Sequence, residues 1–307
     1  MYTPDEDGDT PLILALQKRR FITSKYLINR GADITIADRK GKTSLHYAAE
    51  QDNKELMQML LSKGADIESN SVNGTPLQCA AASGNVESVR LLLGHGANPN
   101  LVSSISPSPL VSAIISQSYE CFELLLKAGA DPNIISSGLR PLTCAIPIGE
   151  AGFLKSLLAA GANPNLFSDN DNNSLKPIEQ AISVGNLDFA RILFPLTERI
   201  PSYPDWSIHG IRELRKNAYF RFVDQEGKNA VKIKDYATAV KWFSEAIYIK
   251  PDDAKVISNR SLCWAKLNEG AFALVDAEAC VELRPDWAKA RYREGVAWML
   301  LKVKPNT

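Results

Sequence analysis

The sequence predicts an all-α chain built as two α-solenoids in tandem, and three observations predict it. Glycines at 31, 64, 96, 129 and 161 recur at intervals of 33, 32, 33 and 32 residues, each closing a short apolar stripe. From Gly227 onward the interval changes to 34, carried by small and aromatic residues. Between the two arrays, "RIPSYPDWS" sets Pro201 and Pro204 where neither pattern fits. Self-similarity at a fixed period marks units that bury an apolar face only by stacking on a neighbour.

In the first array each unit opens on a helix-start signal. These are "TPLI" at Thr10, "TSLH" at Thr43, "TPLQ" at Thr75, "SPLV" at Ser108 and "RPLT" at Arg140. A looser sixth, "KPIE" at Lys176, follows the polar insert "FSDNDNN". Thr or Ser caps the helix, and proline at the first helical position supplies a preset φ where no amide bond is lost. Small residues such as Ala48–Ala49 and Ala80–Ala82 let neighbouring first helices approach closely. A central glycine, as in "ASGNVE", is expected to break the chain between two short helices. "MLL", "LLL" and "SLL" form the second helix, which the periodic glycine ends in a left-handed cap. The segment that follows, such as "ANPNLVSSIS", projects as a hairpin-like turn.

This pattern resembles the ankyrin family over residues 3–197, with five repeats and a divergent sixth ended by "FPLTERIP". The resemblance implies protein binding along the concave helix face and the projecting tips, with a client that the sequence does not identify. Ile36–Gly41 and Ser69–Asn73 are tip candidates, and both also read as solvated loops.

Residues 198–206 read as a linker, after which Asp205 or Ser207 is placed to cap a helix. "EGKNAVKIKDYATAVKWFSEAIYIKP" then carries Gly227, Tyr236, Ala239, Phe243, Ala246 and Pro251. The next copy keeps Ser261, Trp264, Ala273, Cys280 and Pro285, and a third starts with "AKARYREGVAWMLLK" and Gly295. Residues 220–302 thus resemble the tetratricopeptide (TPR) family, in a domain taken as 207–307 with two full repeats and half of a third. No second helix follows in that third repeat, so an apolar flank at Val296, Trp298 and Met299 is expected to be exposed. The first ankyrin repeat likewise opens without a polar cap. Both features suggest a fragment of a longer protein; a flank that binds another chain is the alternative. The pairing of arrays, with "FPLT" and "SNRSLCW", is also similar to ankyrin–TPR proteins of plants.

Some TPR domains grip the C-terminal Glu-Glu-Val-Asp tail of Hsp70/Hsp90-type chaperones in a carboxylate clamp. "SNRSLCWAKL" resembles the clamp's third helix and places Asn259 at its Asn position. "RPDWAKARYREG" resembles the fifth, with Lys289 and Arg293 at the Lys and Arg positions, four residues apart and so on one helix face. Arg291 reads as a solvated charge. The first helix departs from the pattern: Asp224 stands where the clamp expects Lys, and Lys228 where it expects Asn, with Asn229 one position late. Asp224 and Lys228 are spaced to pair; Lys228 is then the substitute cation, and Asp224 should repel a carboxylate. The implied function is a co-chaperone-like adaptor, its TPR groove docking a chaperone tail through Asn259, Lys289, Arg293 and Lys228. The alternative is an ankyrin scaffold whose TPR module binds no such tail.

Composition narrows the remaining classes. Lys+Arg and Asp+Glu are equal at 35, which gives no electrostatic basis for nucleic-acid binding. The balance shifts along the chain, from 17 basic and 21 acidic residues in 1–200 to 18 and 14 in 201–307. No apolar run approaches the ~18 residues that span a bilayer. Five cysteines without CxxC spacing suggest reduced thiols in a cytosolic or nuclear protein. On that reading the glycosylation sequons at Asn73, Asn172 and Asn259 are chance matches. Gly41-Lys42-Thr43 ends like a phosphate-binding loop, but the required earlier glycine falls at Ile36. His46 is expected as a hydrogen-bonded structural imidazole. With His95 and His209 scattered elsewhere, neither a metal site nor a nucleophile–base pair assembles, so no enzyme and no cofactor is expected.

Overall fold

A computed structural model describes residues 9–102, 105–167 and 175–303, with the backbone alone at 303. The N-terminal start, most of the "FSDNDNN" insert and Asn172 lie outside the described residues. The chain divides into two compact units, 1–200 and 201–307. Both are helical, and extended pairing among the described residues is limited to two isolated bridges, Ser71 with Gly74 and Ser136 with Leu139, at two of the turns.

The first unit stacks six helix pairs. They are α1 (Pro11–Gln17) and α2 (Phe21–Asn29), α3 (Ser44–Glu50) and α4 (Lys54–Ser62), and α5 (Pro76–Ala82) and α6 (Val86–Gly94). Then come α7 (Pro109–Ile115) and α8 (Tyr119–Lys127), α9 (Pro141–Ile148) and α10 (Ala151–Ala159), and α11 (Pro177–Ser183) and α12 (Leu187–Leu193). A single 3₁₀ turn, Phe194–Leu196, ends the series. First helices pack on first helices and second on second, so Leu12, Leu45, Leu77, Leu110, Leu142 and Ile178 all lie in one core.

The caps follow from the sequence. Thr10 Oγ1 accepts from the Ile13 amide at 3.2 Å, Thr75 from Gln78 at 3.3 Å and Ser108 from Val111 at 3.3 Å. Each periodic glycine sits at positive φ, from 81° to 91°. At Gly31 the amide bonds back to Ile28 at 3.1 Å and Ala32 bonds to Leu27 at 3.0 Å. The same two-bond closure recurs at Gly64, Gly96, Gly129 and Gly161.

The break inside each pair differs from the expected central glycine. Gly84, Gly149 and Gly185 occupy it, but so do Arg19, Asp52 and Gln117, all left-handed with φ of 51–56°. For Asp52 the compensation is visible, because its Oδ1 accepts from the Ser88 amide and hydroxyl, at 3.0 and 2.7 Å, one repeat along.

Neighbouring units also close each other's open helix ends. Gln51 donates to the Leu16 carbonyl at 2.7 Å, Asn85 to Ala49 at 2.8 Å and Ser116 to Ala81 at 2.9 Å. Pro147, inside α9, cannot bond the carbonyl four residues back, at Thr143, and Gln180 of the next repeat supplies that bond at 3.1 Å.

His46 shows the same economy. Its Nδ1 accepts from the Thr43 amide at 3.0 Å, which leaves Nε2–H to donate to the Gly74 carbonyl at 3.0 Å. Gln78 plays both parts in the next repeat, accepting from the Thr75 amide at 2.8 Å and donating to the Pro107 carbonyl at 2.7 Å.

In the second unit α13 (Ile208–Lys232) pairs with α14 (Tyr236–Ile249), α15 (Ala254–Lys266) pairs with α16 (Gly270–Leu283), and α17 (Ala288–Val303) follows. Of the two expected caps, Ser207 accepts from the Gly210 amide at 2.9 Å and Asp205 holds the Ser207 hydroxyl at 3.0 Å. From there one continuous 25-residue helix runs through the whole first helix of the repeat, with no proline to stop it. The aromatic-into-small-residue crossing is tight: a Cβ on Gly227 would lie 2.5 Å from Cε1 of the buried Phe243. At the matching position of the next repeat Ser261 donates to the Ala273 carbonyl at 2.8 Å. Trp298 and Met299 are exposed, and Val296 is half-buried.

Two outcomes follow from these contacts. Gly227→Ala should cost roughly 1–3 kcal/mol of stability in urea unfolding. Gly295→Ala, where a Cβ meets open space, should gain about 0.5–1 kcal/mol. Burial first, offset in part by the Gly74 bond, lowers the His46 pKa from its ordinary value. The unfolded chain therefore binds a proton there before the folded one does. The His46 contribution to stability is full above the unfolded value of about 6.5 and is lost as pH falls from there toward the lowered folded value. His46→Gln should keep the two bonds, as Gln78 does, and unfold with a flatter pH dependence below about 6.5.

Candidate peptide-binding groove

The cations and amides singled out in the sequence lie on α13, α15 and α17, the first helices of three consecutive repeats. The helices α14 and α16 pack between them on one side. On α13, Phe220, Val223, Gly227 and Ala230 face that packing, and Asp224 and Lys228 each follow one residue later. On α17, Ala290 and Ala297 are fully buried, and Lys289 and Arg293 flank that stripe.

Both α17 cations act electrostatically on the same buried thiol. The Cys280 pKa is pushed up to about 11, chiefly by burial and by Asp276, while Arg293 and Lys289 pull it back. Arg293 also acts on Cys263, whose thiol burial pushes up to about 11. Cys263 lies four residues beyond Asn259 on α15, one helical turn along the same face. Lys289 and Arg293 thus lie on α17, which packs against α15, the helix that carries Asn259. Cys263 also shares an apolar cluster with Val223 of α13, which brings Asp224 toward the same region.

Their hydrogen-bonding states differ sharply. Among the described residues, Asn259, Lys289 and Arg293 have no hydrogen-bond or ion-pair partner. Lys289 Nζ rests 5.8 Å from the Trp287 ring centroid, and the Arg293 guanidinium lies 5.8 Å from that of Tyr292. Arg293 Nε is buried and unpartnered, and burial lowers the Arg293 pKa from its ordinary value. Lys228 is already engaged, its Nζ 2.5 Å from Asp224 Oδ2. The other oxygen, Asp224 Oδ1, is buried without a partner. Asn229 is taken up on its own helix, donating to Glu226 at 3.2 Å and accepting from Gln225 at 3.0 Å. Arg291 is exposed and pairs with Glu294 at 3.3 Å.

One supporting element escaped sequence reasoning. Arg260, the residue after Asn259, donates Nε and Nη2 to the two oxygens of Asp276 at 2.9 and 2.7 Å, and Nη1 to Ser244 at 3.0 Å. Asp276 is almost fully buried, so this fork pins α15 to α14 and α16 and fixes the rotation from which Asn259 projects. The sequence signal was faint, a cation in a mostly apolar helix with an acid sixteen residues on.

The tip candidates behave as structure. Asp38 Oδ1 accepts from the amides of Lys40 and Lys42, both at 2.8 Å, and its Oδ2 accepts from Tyr47 at 2.7 Å. Val72 bonds back to the Lys40 carbonyl at 2.9 Å, so successive turns are tied together. Among the described residues no cluster of His, Cys, Asp and Glu could hold a metal ion, and no helix is long and apolar enough to cross a membrane.

Residues 1–71 and 68–136 match the family model described as ankyrin repeats, in three copies. The fold of the human ASB11 ankyrin repeat domain superposes with a TM-score of 0.54 over 63% of this chain and 86% of that one, at 24% identity. The heat shock protein sti1 homolog of Schizosaccharomyces pombe is 44% identical over 72 residues, 24% of this chain and 12% of that protein. The Hsp70-Hsp90 organizing protein of Triticum aestivum is 35% identical over 96 residues, 30% of this chain and 16% of that protein. These organizing-protein similarities fall in the C-terminal portion. Palmitoyltransferase ZDHHC13 of Mus musculus is 35% identical over 100 residues, 32% of this chain and 16% of that protein. The chain thus spans 12–16% of the length of these three curated relatives. It carries ankyrin repeats followed by TPR-type repeats, and arrays of both kinds are typically protein-interaction modules.

Proposed function

We propose that the chain is a two-module adaptor with a co-chaperone-like role. Its ankyrin array holds a client, and its TPR groove docks the acidic C-terminal tail of an Hsp70/Hsp90-type chaperone. The observation that supports this reading is the set of three polar side chains, Asn259 on α15 and Lys289 and Arg293 on α17, which have no hydrogen-bond or ion-pair partner among the described residues. A peptide carboxylate needs such donors held on rigid helices, each charge-assisted bond contributing roughly 1.5–3 kcal/mol. A few of these with apolar contacts amount to about −8 kcal/mol, or micromolar affinity. Similarity to proteins named as Hsp70-Hsp90 organizing proteins supports the same choice of partner.

The second reading, a scaffold whose TPR module takes no chaperone tail, is favoured by Asp224. An acid stands on α13 where the clamp pattern expects a cation, and the nearby cation, Lys228, is tied to it. Titration of a fluorescent peptide ending in Glu-Glu-Val-Asp separates the two. The adaptor reading expects saturable binding near micromolar. It expects a loss of about tenfold or more both in Lys289→Ala and with the C-terminally amidated peptide, each lost charge-assisted bond being that large. Arg291→Ala should bind as the parent does. Equal binding of the amidated peptide overturns the adaptor reading in favour of the scaffold.

A further inference from the structure

Two exposed helix faces of the second unit carry complementary chemistry in matching order. On α16, Phe272, Val275, Glu278 and Glu282 are all exposed, the first two at 56% and 64%. Their spacing of three, three and four keeps them on one face. On α13, Arg212, Lys216, Tyr219 and Phe222 are likewise exposed, spaced four, three and three. Among the described residues, none of the four charged side chains has a hydrogen-bond or ion-pair partner.

Neither face is what the repeats require. One repeat before α16, the positions of Phe272 and Val275 hold Thr238 and Lys241, ordinary residues for a wetted surface. A patch of exposed apolar side chains rimmed by charge marks an interaction surface. Phe272 is steadied by the half-buried Trp264, ring centroids 4.9 Å apart, and Phe222 by Trp242 at 6.0 Å. The helix α13 runs 25 residues, against 13–16 in the helices after it. Arg212, Lys216 and Tyr219 ride on its extra turns, ahead of the repeat pattern that begins at 220.

Set antiparallel, the two stripes fall into register. Phe272 faces Phe222, Val275 faces Tyr219, Glu278 faces Lys216 and Glu282 faces Arg212, without offset over about 15 Å of helix. Apolar contact and two opposite-charge pairs are then made at once. A parallel pairing would instead set Phe272 and Val275 against Arg212 and Lys216, so the order of residues selects the direction. Within one chain the two faces do not cover each other, since all eight side chains are exposed there.

We propose that α16 docks α13 of a second copy of this chain, antiparallel and in that register. A two-fold axis makes the contact twice, each copy presenting one α13 and receiving one, and closes a dimer. None of Asn259, Lys289 and Arg293 takes part, so the dimer stands or falls apart from the function proposed above.

Sedimentation equilibrium of the full chain from about 1 to 100 µM brackets a micromolar dimer constant. The mass should rise from monomer to dimer, and less readily at high salt, which screens exposed pairs. Val275→Glu, which buries a charge in the contact, should weaken the dimer about tenfold or more. Glu278→Lys with Glu282→Lys should do the same, as should Arg212→Glu with Lys216→Glu. Mixed in equal amounts, these two charge-reversed proteins should associate as the parent does, because each contact again joins opposite charges. Circular dichroism of each variant reports that its helices are kept. A chain that stays monomeric across the range overturns the proposal. A dimer indifferent to Val275→Glu, or folded charge-reversed proteins that do not associate on mixing, overturns it equally.

Discussion

A pair of helices of seven and nine residues cannot stand by itself, and the N-terminal unit is organised around that constraint. Isolated helices shorter than about 12–15 residues are marginal in water, because nucleation costs more than a few bonds return. Each pair here also buries only one face against its own partner. The remaining faces, carrying Leu45, Ala48, Leu77, Ala80, Leu110 and Ala113, are dry only because the next pair covers them. Stability is therefore a sum of nearest-neighbour terms, and the polar bonds follow the same logic. Gln51, Asn85, Ser116 and Gln180 each close a carbonyl one repeat back, which no helix of this length can do for its own last turn. The turns add a second seam. Asn100 donates to the Gly129 carbonyl and accepts from the Asp131 amide, and Asn133 and Asn165 repeat the motif one and two units on.

The C-terminal unit meets the same demand with longer helices and fewer seams. Its helices of 13–25 residues interlock through size contrast, the Phe243 ring lying in the notch left by Gly227. A polar lock sits beside that apolar fit, the fork of Arg260 on Asp276 with Ser244 as third partner. Two charges taken out of water gain little net stability from each other, whereas losing one partner strands the other at several kcal/mol. The effect of such a pair is to select one relative rotation of α14, α15 and α16. Because Arg260 and Asn259 are adjacent, that rotation also sets the direction in which Asn259 projects from α15.

How much of this the sequence discloses depends on how local each interaction is. The periodic glycines and the Thr and Ser caps are read directly, since a left-handed closure and a side-chain cap are settled within five residues. The Asp224–Lys228 pair is read for the same reason, being one helical turn apart. The breaks at Arg19, Asp52 and Gln117 are not, because no local rule puts those residues at positive φ; stacking imposes it. The start of α13 is read locally as well, since Ser207, one of the two caps the sequence offers after Pro201 and Pro204, closes it. Arg260–Asp276 was unreadable, because its geometry exists only once two helices have crossed.

The same distinction ranks the groove residues. Lys228 starts from a bond already made, so a ligand carboxylate that recruits it must first break or share the Asp224 pair. Asp224 is mostly covered, so taking Lys228 away strands a partly desolvated carboxylate and leaves a small net return. Asn259, Lys289 and Arg293 start from no bond at all, and Arg293 has already been stripped of part of its water in folding. An acceptor that reaches the guanidinium therefore meets part of its desolvation cost already met by the fold. On the function proposed above, the donors that count most for binding are therefore those on α15 and α17, while the cation on α13 is already paired. Net charge along the chain has little part in this, because what a ligand meets is the small set of valences that folding left open.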